Sequence, residues 1–340
     1  MKNKLSAIAR FLLFFGIGVF FIWLFLHNLT GNEKSEILKS FGHANYWWIS
    51  FAILLGVAAH YLRAIRWKMM IEPMGYVTGN RNTFFAVMIG YLSNLALPRM
   101  GEVSRCTVLT RYENVPFNKS FGTVITERAL DLIIFILLFF LNLALQFDKL
   151  SEYINVKIYK PLETKLHLSM NLSGSLYFLL LALAIVSAVV FLAFRKRIIH
   201  SGIYLRIKNL FMGFFEGMQS LVKIKKLWLF IFYSLAIWGL YLMMAYFVFF
   251  SMPETAGLGI DAGLATLVFG TIGIMLVQGG IGIYPVIVAE TLLLYSVEST
   301  KGYALGWLIW SSQTITIILL GSVSLILLPL LNKKNAHANS

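Results

Sequence analysis

Long apolar runs alternate along this chain with short polar segments rich in lysine and arginine. Residues 11–26, 46–62, 121–146, 176–194, 227–250 and 303–328 are each close to the length an α-helix needs to cross a hydrocarbon core. The pattern predicts six spans. Between the second and third, residues 83–97 and 101–110 form two apolar legs too short to cross. Between the fifth and sixth, residues 262–277 and 284–297 do the same. Each pair is broken by turn residues, Pro98 and Gly101 in the first and the QGGIG run 278–282 in the second. Residues 27–45 read as a short polar loop. In residues 200–222 the apolar positions Ile203, Ile207, Phe211, Phe214, Met218 and Leu221 recur at helical spacing. That predicts an amphipathic helix on the inner membrane surface.

Composition fits this reading. Hydrophobic residues are 59% of 340 and charged residues 13%, against about 25% charged in soluble proteins. The fold class is an all-α polytopic membrane protein. A net charge of +14 could suggest nucleic acid, but its placement argues for none. The cations flank the spans, as positive-inside sorting and anionic lipid require. With both termini cytoplasmic, 22 of the 29 Lys and Arg fall inside and seven outside. No small-residue cleavage site follows residues 11–26, which predicts an uncleaved first helix. One cysteine, Cys106, excludes an internal disulfide, and no histidine pair has i,i+4 spacing, so no metal or cofactor is assigned.

This topology predicts two re-entrant helical hairpins, 83–110 dipping in from the cytoplasmic side and 262–297 from outside. Residues 1–146 and 176–330 then share one order of elements in opposite orientation, joined by an extracytoplasmic loop over 147–175. That is an inverted-topology repeat, in which a substrate site lies near the midplane. Helix-starting N–H groups at depth favour an anion there. Arg99 and Arg105 add guanidinium forks suited to phosphate. Asn94 and Gln278 offer neutral hydrogen bonds, and Gly280 and Tyr284 stand at the second tip. Glu102, Glu127, Arg128 and Asp131 complete the candidate site.

Two readings of these charges stay open. Arg99, Glu102, Arg105, Glu127, Arg128 and Asp131 sum to zero, so they could neutralise one another and pin the hairpin to the third span. Alternatively they also hold a headgroup, the favoured reading because ionised groups in membrane segments are usually functional. Glu127, Asp131 and Glu290 are candidate proton carriers, Glu290 equally a bland interfacial acid. Arg63 and Arg66 read chiefly as interfacial anchors.

The runs RAIRW at 63–67, NLALPRMGEVSR at 94–105 and TERALD at 126–131 resemble the lysylphosphatidylglycerol synthase transmembrane-region family of flippase-like membrane proteins. GGIG at 279–282 with Glu290 resembles that family's second hairpin motif, although Val277-Gln278 stands where the family commonly has a proline. The resemblance spans roughly residues 8–330. It implies handling of lipids such as aminoacylated phosphatidylglycerol or polyprenyl-linked sugars. Some members carry a soluble aminoacyltransferase domain; here only residues 329–340 follow the last span, so the membrane module alone is expected. The expected function is a flippase-like transporter of a lipid with an anionic headgroup. Without a GxxxxGK[ST] loop, its drive would be a lipid gradient, membrane potential or protons. The alternatives are a membrane transferase using a lipid-linked donor, or a partner of a lipid-synthesising enzyme. Arg99→Ala or Glu102→Gln is expected to leave the protein folded and stop translocation.

Overall fold

The computed structural model describes residues 30–147 except Pro98 and residues 224–332 except Lys225, together with Trp23 and His27. The expected spans 11–26 and 176–194, the surface helix 200–222 and the outer loop beyond Phe147 lie outside the described residues. Within them the protein is helical, without strands: α1 Gly31–His43, α2 Tyr46–Ile71, α3 Asn80–Ala96, α4 Met100–Glu113, α5 Phe117–Leu145, α6 Leu227–Val248, α7 Ile260–Leu276, α8 Ile283–Leu293 and α9 Ser299–Leu331. Four stretches are long and apolar enough to cross a membrane: Tyr46–Met74, Phe117–Leu145, Leu227–Ser251 and Ser299–Leu331. They match the four expected spans that fall on described residues. Large apolar side chains such as Leu137, Phe140, Phe232, Leu235 and Ile326 stay exposed on them, as lipid-facing surfaces do.

One expectation is corrected. Residues 27–45 are no loop, because α1 occupies Gly31–His43. Its start is a reciprocal capping box. The Glu33 N–H donates to the Thr30 hydroxyl at 3.3 Å, and the Thr30 N–H donates to the Glu33 carboxylate at 2.6 Å. The Thr30 hydroxyl, donating to the Glu33 carboxylate at 2.7 Å, and then the Thr30 N–H hold the Glu33 carboxyl below its ordinary pKa. The helix packs on α9 through buried Ile37.

The frame is the pair α2 and α6, the most extensive helix contact among the described elements. Gly56 of α2 lets Met244 of α6 come close: a Cβ there would lie 3.0 Å from the Met244 sulfur. Each frame helix carries a helical pair. The legs α3 and α4 lie side by side from tip to base, where Asn82 donates to Glu113 at 2.7 Å. Trp67, Ala86, Cys106, Leu109 and Val124 form a core shared by α2 to α5. The legs α7 and α8 meet where Gly270 receives the Tyr284 ring.

The turns at the two tips are alike. Leu97 and Val277 end their helices in extended conformation, each donating its N–H to the carbonyl four residues back. The Met100 N–H then closes on Leu97 O at 3.2 Å, and Gly280 N–H on Val277 O at 2.8 Å. The third turn residue is left-handed in both, Arg99 at φ 62° and Gly279 at φ 65°.

The long helix α9 bears on both pairs. Gly302 and Gly306 seat α8: a Cβ would come 2.9 Å from Ala289 Cα and 2.6 Å from Pro285 Cα. Further along, Gly321 seats α3, where a Cβ would lie 2.7 Å from Leu92 Cβ. Small residues four apart let helix backbones approach in this way.

Candidate functional site

The chemistry gathers where α2, α4 and α5 meet. On α2, Arg63 and Arg66 lie three residues apart and share a face; on α5, Glu127 and Asp131 lie four apart and share another. The two faces meet as a ladder. Arg63 Nη1 lies 2.8 Å from Glu127 Oε1 and 2.6 Å from Asp131 Oδ2; Arg66 Nη2 lies 3.2 Å from Glu127 Oε1 and 2.8 Å from Asp131 Oδ1. Arg105 of α4 adds a third guanidinium, 2.9 Å from Glu127 Oε2, with its Cζ 4.6 Å from the Trp67 ring centre. Trp67 is held in turn, donating to Thr123 Oγ1 at 2.8 Å. Arg66 and Glu127 have no exposure, and Arg63, Arg105 and Asp131 are at most 8% exposed. Beside this buried core, half-exposed Arg128 pairs with Glu102 at 2.9 Å.

The first tip is locked to this assembly. Asn94 Oδ1 accepts from the Gly101 N–H at 2.7 Å and so caps α4, whose N-cap Arg99 makes no side-chain cap. Glycine is obligatory at 101, because a Cβ would fall 2.2 Å from Gly90 O. A cavity of about 10 Å³, room for about one water molecule, lies between Gly90, Asn94, Gly101 and Arg105.

A much larger cavity of about 600 Å³ opens alongside. At its polar side stand Arg63, Arg128, Asp131, Asn94, Tyr91 and His60. The His60 ring lies 4.7 Å from that of Tyr91 and 6.3 Å from that of Tyr241. Much of the remaining wall is apolar or aromatic, including Leu132, Phe135, Trp238, Met244 and Val248. The second tip contributes Gly279 and Tyr284, and α9 contributes Trp310, whose indole N–H donates to Gly279 O at 2.6 Å. The site is shaped for an amphiphile, with cationic groups at one side and oily walls beyond.

The structure thus brings together Asn94, Glu102, Arg105, Glu127, Arg128 and Asp131. They interact across helices, and neither i,i+3 neighbour pair, Glu102 with Arg105 or Arg128 with Asp131, is an ion pair among the described residues. The pinning of the hairpin to α5 is real. Arg99 is exposed at the turn and does not line the cavity. Gly280 is buried with φ 69°, the Gln278 side chain lies outside the described residues, and Glu290 is exposed on α8. Arg63 and Arg66, read as interfacial, are instead buried inside the ladder, because α2 runs on through them to Ile71. Their signal was the spacing, R-x-x-R facing E-x-x-x-D. Including them changes the balance: four guanidiniums now face three carboxylates. Full mutual neutralisation is therefore not what this cluster does.

Because Arg99 sits left-handed, Arg99→Gly removes the guanidinium while easing the turn. Its thermal midpoint is expected to stay within about 2 °C of the parent's, since about 1 kcal/mol moves a chain of this length by about 1.4 °C. A larger fall in a detergent melt would show that the side chain holds the tip.

A family model described as the lysylphosphatidylglycerol synthase TM region matches residues 8–321. The UPF0104 membrane protein MJ1595 of Methanocaldococcus jannaschii is 32% identical over 104 residues, 30% of this chain and 31% of that protein. Glycosyltransferase AglD of Haloferax volcanii is 28% identical over 102 residues, 30% of this chain and 16% of that protein. The chain spans less than a third of the length of either curated relative. No solved structure matches it.

Proposed function

The chain belongs to the lysylphosphatidylglycerol synthase TM-region family, and we propose that it is a flippase-like lipid transporter. It is a multi-pass integral membrane protein. In this reading it binds the anionic headgroup of a phospholipid or polyprenyl-linked lipid near the midplane and moves it between leaflets. The observation that carries the proposal is the 600 Å³ cavity, cationic at Arg63 and Arg128 and apolar beyond. A phosphate suits guanidinium forks, and its chain suits the oily wall.

We further propose that α3–α4 and α7–α8 are the two re-entrant hairpins of an inverted repeat. In support, the third residue of both tips is left-handed, and several packings of the first half have counterparts in the second. Where α2 meets α3, α6 meets α7; where α4 meets α5, α8 meets α9; where α3 meets α9, α7 meets α5. Charge sorting along the sequence favours cytoplasmic termini. Glu127 is shut behind three guanidiniums, which makes Asp131, on the cavity wall, the better-placed proton carrier.

The test is translocation by purified protein in vesicles carrying a fluorescent anionic phospholipid or a short polyprenyl phosphate. Quenching from outside is expected to reach probe that protein-free vesicles protect. Arg128→Gln is expected to slow translocation at least about tenfold, about 1.4 kcal/mol of barrier. Its melt is expected to move little, because a half-exposed ion pair contributes about 0–1 kcal/mol. No translocation of either probe, or an unchanged rate in the variant, refutes the proposal.

The name of the second relative raises a transferase reading. Such chemistry needs a general base near the headgroup. Among the described cavity-lining residues Asp131 is the one acid, and both its oxygens face guanidinium groups. That weighs against it. A glycosylated lipid product, seen by mass spectrometry with purified protein, would favour it.

A further inference from the structure

The charge balance and the neutral polar groups of the cavity narrow the headgroup. Among the described residues its wall carries two guanidiniums, Arg63 and Arg128, against one carboxylate, Asp131. Asp131, the acid on the wall, has Arg63 at 2.6 Å and Arg66 at 2.8 Å from its two oxygens. An ammonium group placed there would meet excess positive charge and find no uncommitted carboxylate. The wall does offer uncharged hydrogen-bonding groups. Tyr284 is 5% exposed, lines the cavity, and its hydroxyl has no hydrogen-bond partner among the described residues. Tyr241 and Gln313 also line the cavity with polar ends that make no hydrogen bond among the described residues. A phenol both donates and accepts, and an amide does so with separate atoms. Such groups match hydroxyls.

We infer that this cavity takes a phosphate carrying an uncharged, hydroxyl-rich substituent, such as a glycerol, an inositol or a sugar, and turns away ammonium-bearing headgroups. The inference rests on the reading that the cavity holds a lipid headgroup. It separates this protein from the aminoacylated lipid after which its family is described. In mechanism, Arg63 and Arg128 hold the phosphate while Tyr284, Tyr241 and Gln313 read the substituent. Tyr284 belongs to the second helical pair and Asn94 to the first, so the two tips meet at one ligand.

The test is competitive retention by detergent-purified protein, read by native mass spectrometry. Phosphatidylglycerol, phosphatidic acid, lysyl-phosphatidylglycerol and phosphatidylethanolamine are offered in equal amounts with matched acyl chains. Phosphatidylglycerol is expected to exceed each amine-bearing lipid by at least about tenfold, and to exceed phosphatidic acid by several-fold. Tyr284→Phe, which removes one oxygen, is expected to bring the phosphatidylglycerol-to-phosphatidic acid ratio close to one. Gln313→Leu provides the same reading should the first variant not fold. Lysyl-phosphatidylglycerol retained as well as phosphatidylglycerol, or a ratio unmoved in folded variants, overturns the inference. The predicted preference without translocation in vesicles sinks transport alone. Translocation without the preference sinks the headgroup assignment alone.

Discussion

Replacing Glu127 with glutamine will lower the apparent melting midpoint by about 4–7 °C. The carboxylate faces Arg63 at 2.8 Å, Arg66 at 3.2 Å and Arg105 at 2.9 Å, and it has no exposure to solvent. Glutamine keeps its shape and removes its charge. Arg63 and Arg66 would then share one buried carboxylate, Asp131, and Arg105 would lose the carboxylate it faces. Removing one partner of a buried ion pair costs about 3–5 kcal/mol, because the charge left behind lacks both water and counter-ion. At about 2.1 cal/mol/K of unfolding entropy per residue, each kcal/mol moves the midpoint of a 340-residue chain by about 1.4 °C. Pairing the change with Arg105→Gln removes one of the orphaned cations, and about 1–3 kcal/mol of coupling should return. A scanning-fluorimetry melt of the single variant within about 2 °C of the parent, or a double variant worse than the sum of the singles, contradicts this account.

Gly101→Ala will open the first tip and cut translocation by at least about tenfold. A Cβ at this position falls 2.2 Å from Gly90 O and 2.5 Å from Asn94 Nδ2. Neither can give way cheaply. Gly90 O is backbone within α3, and Asn94 holds the Gly101 N–H at 2.7 Å. Overpacking of this kind costs about 1–3 kcal/mol even where neighbours adjust. Here the adjustment separates α3 from α4 and withdraws Asn94 from the cavity wall. Gly122→Ala is the control. It lies in helix α5 with nothing within 4 Å of its Cβ, and alanine there should stabilise the helix by up to about 1 kcal/mol. Equal rates for Gly101→Ala and the parent would remove the tip from the mechanism.

The four spans on described residues were legible because length and apolarity suffice for a membrane helix, and the tips because Pro98, Gly101 and Gly279–Gly280 interrupt apolar runs. The site was legible as a set of charges but not as a set of partners. Glu102 beside Arg105 and Arg128 beside Asp131 look paired along one helix, yet each reaches across to another. Sequence spacing reports which residues share a face, not which faces meet. Arg63 and Arg66 were misjudged for the same reason: cations at the end of an apolar run normally mark a headgroup boundary. Only their apposition to α5 shows that the run continues through them. Helix α1 does carry a sequence signal, the capping signature Thr30-x-x-Glu33, within a stretch otherwise polar enough to read as a loop.

The glycines of α9 have a mechanical meaning. Gly302 and Gly306 clamp it to α8, and Gly321 clamps it to α3. A single rod therefore leans on both halves of the molecule, at points about 20–30 Å apart by helical rise. Tilting it to widen a gap at one end must press or release the other. Under the transport reading proposed above, the two tips would be ganged through this rod, so that a lipid admitted at one would alter the opening at the other.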